Sequence, residues 1–491
     1  MKSVNPVFAS LGVTIFEVMS RLAMAHGAVN LGQGFPDQDG PARVLEAAAE
    51  AVVQGPNQYP PMLGIPDLRQ AVAEHAARFY GLEFDWQTEV LVTSGATEAL
   101  ADCLLALLEP GDEAILIEPL YDSYLPIVRR AGAVPKFVRV EAPDWRLDLG
   151  ALEAAFTSRT KLLLLNNPQN PTGKVFSCDE LEAIAALLER HDAYAVCDEV
   201  YEHIVFDGRR HVPLISLPGM RERCLRIGSA GKSFSLTGWK VGYVTAAAGL
   251  LTPVAKAHQF VTFTTPPHLQ KAVAAGLRLG DDYFAGLASG LAAKRDRFAE
   301  GLRRLGLDVL PCEGTYFVNI DARALGLGED DVEVAQRLTV EAGVASVPVS
   351  AFHAEDPPRH LIRFCFSKRD EVLDEALRRL GAFLAGRRGS RSAAQPLGGV
   401  AAQRCSRSAA QPRYGVAVLL RSRAAAQLRC GPTSNHSSSL SGEGSRRRRS
   451  GPKRIGARAE RDSRITGARP ASVMASAAGA ASAKASREAA S

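Results

Sequence analysis

Five short, mostly apolar runs in the first 386 residues, each followed at once by a polar or glycine-containing loop, limit the possible folds most strongly. The runs occupy residues 90–93, 114–117, 161–165, 194–197 and 224–227. Such runs are typical of strands buried on both faces. The helical patterns between them give the rhythm of a parallel sheet covered by helices. The sequence therefore predicts an α/β fold, with a shared site beyond the carboxyl ends of its strands.

The composition of the chain changes near residue 386. Residues 387–491 carry 21 Lys and Arg against 4 Asp and Glu, whereas the whole chain of 491 residues carries 58 against 53. The first 386 residues therefore hold 37 basic and 49 acidic groups. This excess of acidic residues does not indicate a nucleic-acid-binding surface. The basic remainder has few large apolar side chains, so we expect a disordered low-complexity tail over residues 387–491.

That tail contains a repeated heptapeptide. Residues 390–396 and 406–412 both have the sequence Ser-Arg-Ser-Ala-Ala-Gln-Pro, and a degenerate copy follows at 423–427. The arginine run at 446–449 leaves open a targeting or nucleic-acid-binding segment. The charges are not interleaved with aromatic side chains, which favours an extension without a folded role, or one translated out of frame.

Composition also excludes several classes of protein. No apolar run is long enough to cross a bilayer, and the mixed N-terminus does not predict a secretory signal. Eight cysteines occur without a CxxC pair, which argues against a zinc site or a disulfide framework and favours a reducing cytoplasm. The sequence therefore predicts a cytoplasmic enzyme without a metal, long enough for two domains.

The run at residues 229–240 is the most informative about chemistry. It places Lys232 three residues after Ser229 and eight before Lys240. An amine with a hydroxyl and a second cation nearby suits a lysine that forms a Schiff base with an aldehyde cofactor, while its neighbours hold that cofactor's phosphate. The alternative is a solvent-exposed lysine in a Gly/Ser loop.

Two further loops contribute weaker signals. Residues 94–98 open a helix that we expect to end near Leu108, and the free backbone N–H groups at its start would suit a phosphate. A simple helix cap explains the same residues equally well. Tyr121, in the loop after residues 114–117, could lie against an aromatic ring or could only pack.

The loops after residues 161–165 and 194–197 bring polar groups to the same edge. The turn cluster at 166–173 leaves the Asn170 amide free to donate to a phenolate-like oxygen, and Tyr201 could share that oxygen. A partly desolvated carboxylate at Asp198 could hold a protonated ring nitrogen, although a helix cap is its commoner role. With the lysine run, this set meets each need of such an aldehyde cofactor: imine carbon, ring nitrogen, phenol oxygen, ring face and phosphate.

With these residues in view, the chain resembles the class I, fold-type I, pyridoxal-phosphate-dependent aminotransferases. The likeness is strongest to the group of methionine and kynurenine/glutamine aminotransferases. It runs from about Val13 to Leu384 and rests on residues 30–37, 57–59, 198–204, 311–317 and 362–366. The resemblance implies pyridoxal 5′-phosphate as the cofactor, together with a ping-pong reaction through an imine on Lys232.

The resemblance also implies roles for individual residues. Lys232 would be the catalytic acid and base, Asp198 would pair with the pyridinium nitrogen, and Tyr121 would stack on the ring. Substrate would meet a bidentate Arg363, with Gly34, Asn170 and Phe263 beside it. The ring hydroxyl and phosphate would be held by Asn170, Tyr201, Ala96, Thr97, Ser229 and Lys240, and by Tyr59 from a partner subunit. Lys240 stands where many relatives have Arg, so a point charge replaces a fork.

The implied architecture is a large domain at residues 46–284, with a mainly parallel central sheet, and a small α+β domain. The small domain would combine an N-terminal segment, residues 1–45, with residues 285–386. The resemblance further implies a homodimer, because Tyr59 and Phe263 would serve the neighbour's site.

The expected donor is a neutral L-amino acid with a large apolar or aromatic side chain, methionine first, and the expected acceptor is a 2-oxo acid. The stretch at residues 259–266 offers no cation for a distal carboxylate, and burying one unpaired would cost several kcal/mol. Alternatives on the same scaffold are a carbon–sulfur β-lyase and a kynurenine aminotransferase. A sensor domain and a catalytically dead relative are further, weaker hypotheses.

Overall fold

The computed structural model describes residues 2–393, and for residues 388–393 it describes the backbone alone. The predicted tail beyond residue 393 therefore lies outside the described residues.

Fourteen strands occur within the described part of the chain, and the five predicted runs are all among them. In chain order they are β1 (Val29–Asn30), β2 (Val90–Thr93), β3 (Glu113–Glu118), β4 (Val134–Glu141), β5 (Arg146–Leu147), β6 (Thr160–Asn166), β7 (Tyr194–Asp198), β8 (Cys224–Ser229), β9 (Gly242–Thr245), β10 (Asp308–Val309), β11 (Phe317–Asp321), β12 (Val344–Ala345), β13 (Val347–Pro348) and β14 (Leu361–Cys365).

Fourteen α-helices occur in the same range. They are α1 (Pro6–Ala9), α2 (Ile15–Ala25), α3 (Ala42–Gln54), α4 (Pro66–Tyr80), α5 (Ala96–Leu107), α6 (Tyr124–Arg130), α7 (Leu149–Ala155), α8 (Cys178–Arg190), α9 (Ala230–Ser233), α10 (Ala248–Val261), α11 (Pro267–Leu277), α12 (Asp281–Arg304), α13 (Asp331–Arg337) and α14 (Asp370–Ala393).

Local chemistry explains several helix ends. A capping box starts α8, in which the Ser177 hydroxyl accepts from the Glu180 N–H and the Glu180 carboxylate accepts from the Ser177 N–H. This satisfies two N–H groups that lack a partner within the helix. Pro66 opens α4, and Gly81 closes it in the left-handed conformation, the usual asymmetry of helix ends.

The large sheet has eight strands in the order β2-β9-β8-β7-β6-β3-β4-β5. Strands β8, β7, β6, β3 and β4 pair in parallel, while β9 and the edge strand β5 run antiparallel to their neighbours. The predicted mainly parallel sheet is therefore confirmed.

Alternate side chains of this sheet enter two separate hydrophobic clusters. Leu163 and Leu165 belong to one cluster, and Leu162 and Leu164 belong to the other. Successive residues of a strand point to opposite faces, so both faces of the sheet are buried. This is why the strands appear in the sequence as continuous apolar runs rather than as alternating ones.

A second, four-stranded antiparallel sheet has the order β10-β11-β14-β13 and a hydrophobic cluster of its own. The N-terminal segment reaches this region, since Val29 and Asn30 of β1 pair in parallel with Val344 and Ala345 of β12. The domain boundaries at residues 45 and 284 stay predictions.

Helix α14 extends past the expected start of the tail, to Ala393. The expectation of a disordered tail at residues 387–491 stays a prediction. The Arg387 guanidinium donates to the Gly326 carbonyl at 2.8 Å and lies 3.7 Å from the Glu341 carboxylate. Among residues 2–393 no helix combines the length and apolar character that crossing a bilayer requires.

Candidate active site

The loops that follow β2, β3, β6, β7 and β8 meet at one edge of the large sheet, as the sequence predicts. They line a cavity of about 390 Å³, to which the N-terminal segment and β14 also contribute. Of the predicted site residues, the cavity brings together Gly34, Ala96, Thr97, Tyr121, Asn170, Asp198, Tyr201, Ser229, Lys232, Lys240 and Arg363.

An anion-binding corner is built around the start of α5. Its N-cap residue, Gly95, has φ +85° and provides no side-chain capping bond, and Ala96 and Thr97 of the first turn line the cavity. The interpretation of Ser94 or Thr97 as a simple cap is therefore wrong. A Cβ added to Gly95 would lie 3.4 Å from both Cα and Cε of Lys240. This contact places the Lys240 chain beside the positive end of the helix dipole.

Lys232 lies on the short helix α9, directly after β8. Its Nζ is 5.5 Å from the ring centroid of Tyr201 and 5.8 Å from that of Tyr316, and within residues 2–393 it forms no ion pair. Burial lowers the pKa of Lys232 to about 8, against the opposing effect of the Asp198 carboxylate. A lysine of this kind supplies a neutral amine near neutral pH. The Ser229 hydroxyl accepts from the Gly231 N–H at 3.2 Å, which fixes the start of α9.

Asp198 is buried at the end of β7, and no cation of the described residues forms an ion pair with it. The Tyr124 hydroxyl donates to its Oδ2 at 2.5 Å, and the Val200 N–H donates weakly to its Oδ1 at 3.4 Å. Burial raises the pKa of Asp198, although these hydrogen bonds oppose the shift. Asp198 thus lines the cavity, held by two hydrogen bonds and without a cationic partner among the described residues.

Asn170 and Tyr201 flank the cavity between β6 and β7. The Asn170 N–H donates to Asn166 Oδ1 at 2.7 Å, and its side-chain Oδ1 accepts from Arg363 Nη1 at 2.6 Å. The Nδ2 amide is thereby left as the donor group of this side chain, as the turn cluster predicts. Tyr201 is buried against Tyr316, with ring centroids 5.3 Å apart, and burial raises its pKa.

Arg363 on β14 is only 1% exposed. Besides Asn170, it donates to the Gly32 carbonyl at 3.2 Å, its Nε has no partner, and no carboxylate of residues 2–393 lies within ion-pair distance. The guanidinium stacks at 3.9 Å over the ring of Phe317. Burial lowers the pKa of Arg363 to about 10, so it stays charged at neutral pH. A buried, unpaired guanidinium is a receptor for a carboxylate.

Gly34 faces this arginine. A Cβ at position 34 would lie 2.9 Å from Cζ of Phe317 and 3.6 Å from Nη2 of Arg363, so any larger residue would fill the space beside the guanidinium. The Gly34 carbonyl accepts from the Tyr316 hydroxyl at 2.9 Å. Tyr121 lines the cavity and meets Tyr124 edge-on at 5.8 Å.

Two predicted residues do not line this cavity. Tyr59 is 83% exposed and Phe263 is 41% exposed, and their rings contact each other edge-on at 5.5 Å. Within one chain, therefore, neither reaches the site, and their predicted role in a neighbouring subunit stays a prediction.

Sequence reasoning missed several residues of the cavity. Tyr124 lies three residues after Tyr121, but its position at the start of α6, facing the end of β7, carries no local signal. The aromatic residues around Arg363 come from distant parts of the chain, Phe16, Phe317 and Phe352. Only the fold unites them.

The donor set fits pyridoxal 5′-phosphate. The uncapped start of α5 and Lys240 offer a place for the phosphate, and Asp198 offers an anionic acceptor for a protonated ring nitrogen. A Cβ at Gly242 would come within 2.9 Å of the Ala96 nitrogen, so the start of β9 packs tightly against this turn. The cradle is therefore held by backbone packing rather than by flexible side chains.

Comparison with known proteins agrees with this chemistry. Residues 27–380 match the model of the family described as aminotransferase class I and II. A Mycobacterium tuberculosis protein described as a probable N-succinyldiaminopimelate aminotransferase is 47% identical over 379 residues, covering 75% of this chain and 95% of the relative. The methionine aminotransferase of Escherichia coli is 42% identical over 370 residues, covering 75% and 96%. A kynurenine–oxoglutarate transaminase of Dictyostelium discoideum is 38% identical over 406 residues, covering 75% and 93%.

Solved structures share the fold. The M. tuberculosis N-succinyldiaminopimelate aminotransferase superposes with a TM-score of 0.76 at 46% identity, over 78% of this chain and all of the other. These matches cover most of the described residues and include the elements that build the cavity. The chain therefore belongs to the class I and II aminotransferases, enzymes that use pyridoxal 5′-phosphate to exchange an amino group between amino acids and 2-oxo acids.

Proposed function

We propose that the preferred donor is a neutral L-amino acid with a large apolar or aromatic side chain, methionine first. The observation that carries this proposal is the single unpaired guanidinium of Arg363, set among aromatic rings. One buried cation accepts one carboxylate, and every amino acid supplies that one. A thioether packs well against the rings of Phe16 and Phe317.

A second carboxylate on the donor would have no dedicated partner in the described cavity. Its lining provides three cations, of which Lys232 and Lys240 already have proposed roles. Leaving a distal carboxylate buried without a partner would cost several kcal/mol. Aspartate should therefore be a poor donor.

When bound, pyridoxal phosphate would supply an electron-accepting ring. We propose that Lys232 carries the proton that leaves and returns to the substrate α-carbon, because its lowered pKa makes the neutral amine available. Asp198, held by Tyr124, would keep the ring nitrogen cationic, and Asn170 with Tyr201 would bind the ring oxygen. The phosphate would rest on Ala96, Thr97, Ser229 and Lys240.

The M. tuberculosis relative favours a second candidate donor, an N-succinylated diaminopimelate, since it is more similar to this chain than the E. coli methionine aminotransferase. Such a donor carries additional carboxylates, which would require cations from beyond the described cavity. Kynurenine is a third candidate, supported by the D. discoideum relative and by the aromatic lining.

A donor panel with one common oxo-acid acceptor tests the proposal. The donors are methionine, kynurenine, aspartate and N-succinyl-LL-diaminopimelate, and the measured quantity is kcat/KM. We expect methionine to exceed aspartate by at least about 100-fold. A higher value for aspartate or for the succinylated donor would overturn the pocket argument. Thiol release from S-substituted cysteines without an oxo acid would indicate the β-lyase.

We also propose a homodimer that brings Tyr59 and Phe263 to the partner's site. The motivation is that these contacting aromatic residues stay exposed in one chain and lie beside Phe260 and Val261, also exposed. Mixing inactive Lys232→Ala with inactive Tyr59→Ala chains should restore activity, because half of randomly formed dimers would contain one intact site. We expect about a quarter of wild-type activity. No recovery, or a monomer by sedimentation, would contradict the dimer.

The unpaired cysteines of the described residues support the proposed cytoplasmic location.

A further inference from the structure

A compact cluster of potential metal ligands lies outside the active site, between α5 and α10. Glu98 and Asp102 stand one turn apart on α5, and His258 approaches from α10. His258 Nδ1 is 2.7 Å from Glu98 Oε1 and 3.7 Å from Asp102 Oδ2, and the three ligand atoms lie within 4.8 Å of one another.

Asp102 is the unusual member of this cluster. It is 0% exposed, and neither of its carboxyl oxygens has a hydrogen-bond partner. A buried carboxylate left without a partner is costly. A carboxyl group aimed at a second carboxylate and an imidazole calls for a cation between them.

His258 is oriented as metal-binding histidines are. Its Nε2 lies 3.1 Å from the Met62 carbonyl, a backbone acceptor that takes an N–H. His258 Nδ1 shares a proton with Glu98 Oε1 in a hydrogen bond of 2.7 Å, and an entering metal ion would take the place of that proton. Metal-ligating histidines typically donate the other ring N–H to a carbonyl or carboxylate in this way.

A second buried cluster provides a contrast. His75, His203 and Glu202 are equally close together, but the two imidazoles already hydrogen-bond each other at 2.7 Å. Glu202 pairs with Arg226 and accepts from the Tyr243 hydroxyl. Every member of that cluster has a hydrogen bond and Glu202 has a cationic partner, whereas Asp102 has neither a hydrogen-bond partner nor an arginine or lysine partner among the described residues.

We infer that Glu98, Asp102 and His258 bind a divalent transition-metal ion of the zinc type. Two carboxylate oxygens and one imidazole nitrogen are ligands that Zn²⁺ takes in proteins, with a water as the fourth. Glu98 binds through Oε1, because its Oε2 accepts from the Ser94 N–H at 2.5 Å, and that bond can remain in place.

The test uses the full-length, cofactor-loaded protein, treated with a chelator and then equilibrated with zinc chloride. Bound zinc per chain is measured by mass spectrometry of the metal, and affinity by competition with a fluorescent zinc indicator. Variants Asp102→Asn and His258→Gln each remove one ligand. Asn is isosteric with Asp and can donate to Glu98, so the first variant should fold. Asp331→Asn is the control, because Asp331 is equally buried but accepts from the N–H and hydroxyl of Ser350.

We expect wild type and Asp331→Asn to bind one more zinc ion per chain than the two ligand variants. Losing a ligand should weaken zinc binding at this site by at least about 100-fold. Cobalt in place of zinc should give visible ligand-field bands that Asp102→Asn lacks. If wild type binds no zinc, or if Asp102→Asn binds it as wild type does, the proposal is wrong and a proton shared between the two carboxyl groups explains the cluster.

Discussion

Two arginines, Arg226 on β8 and Arg363 on β14, are equally buried, each only 1% exposed, yet their surroundings are opposite. Arg226 forms ion pairs with Glu199 and Glu202, and Glu199 also lies 3.0 Å from His211. Arg363 meets only neutral acceptors and aromatic rings. The first arginine is neutralised by the protein itself, and the second is not.

The two arginines illustrate two uses of a buried charge: one stabilises the fold, and the other is available to bind a ligand. Removing one partner from a buried ion pair is strongly destabilising because the other charge is left alone. A buried charge that the fold leaves unpaired is instead available to a ligand, and strongly perturbed groups in a cleft are candidates for function. Lys232 and Asp198 belong with Arg363, since neither forms an ion pair within residues 2–393.

The largest expected effect is that of Lys232→Ala. Losing both the covalent link and the proton carrier should lower transamination at least about 10⁴-fold, while urea unfolding stays cooperative. The rate of transamination with methionine and an oxo acid measures the loss. The visible absorbance of bound cofactor should also vanish after gel filtration. Turnover at a sizeable fraction of wild type would remove Lys232 from the catalytic role.

The next effect comes from Arg363→Met, which replaces the unpaired guanidinium by an apolar chain. We expect kcat/KM to fall about 10²–10³-fold for every donor, because the substrate carboxylate loses its charged donors. The free energy of unfolding should stay within about 1 kcal/mol of wild type, since relief of an unpaired buried charge offsets two lost hydrogen bonds. A fall in the free energy of unfolding of several kcal/mol would contradict the view that Arg363, unlike Arg226, has no structural ion-pair partner.

The same substitution at the other arginine should act in the opposite way. Arg226→Met leaves Glu199 and Glu202 buried side by side, so the free energy of unfolding should fall by about 3–5 kcal/mol. Denaturant titration measures this loss. Activity per folded molecule should remain close to wild type, because Arg226 does not line the cavity. Inactive but stable protein would show that the two arginines are not distinguished by their partners.

The smallest effect concerns protonation of Lys232. Because burial lowers its pKa from 10.5 to about 8, and only the neutral amine attacks an aldehyde, uptake of pyridoxal phosphate by the apo-protein should accelerate as pH rises and level off above about pH 8. The unfolded chain binds more protons than the native one between these two values, so stability should also rise with pH across that window. Uptake that keeps rising to pH 10.5 would show that Lys232 is not desolvated.

Much of this site could be predicted from local sequence. The strands appear as apolar runs because both faces of the sheet are buried, and the loops after them carry Asn170, Asp198 and Ser229 to one edge. The roles of these residues remain proposals, but their convergence in one cavity followed from the pattern alone.

What the sequence did not reveal depends on long-range partners. Arg226 lies inside the run 224–227, which the pattern predicts to be an apolar strand, although a charge at that position requires buried partners. Those partners, Glu199 and Glu202, belong to the stretch 198–204, but nothing local in the sequence pairs them with Arg226. The Glu98, Asp102 and His258 cluster joins helices far apart in the chain. It contains no cysteine, so the spacing of cysteines carries no signal of it. Nor does composition indicate that α14 continues to Ala393.

The pairing of β1 with β12 sets an order in time. The segment 29–34, which includes Gly34, cannot reach its folded position until residues 344–365 have been synthesised. Strand β1 pairs with β12, and the Leu31 carbonyl accepts from the Cys365 N–H at 2.7 Å. At roughly 5–20 residues per second of synthesis, the N-terminal segment waits on the order of 15–60 s for its partners. A ribosome-bound chain therefore completes its large sheet well before it can hold a substrate.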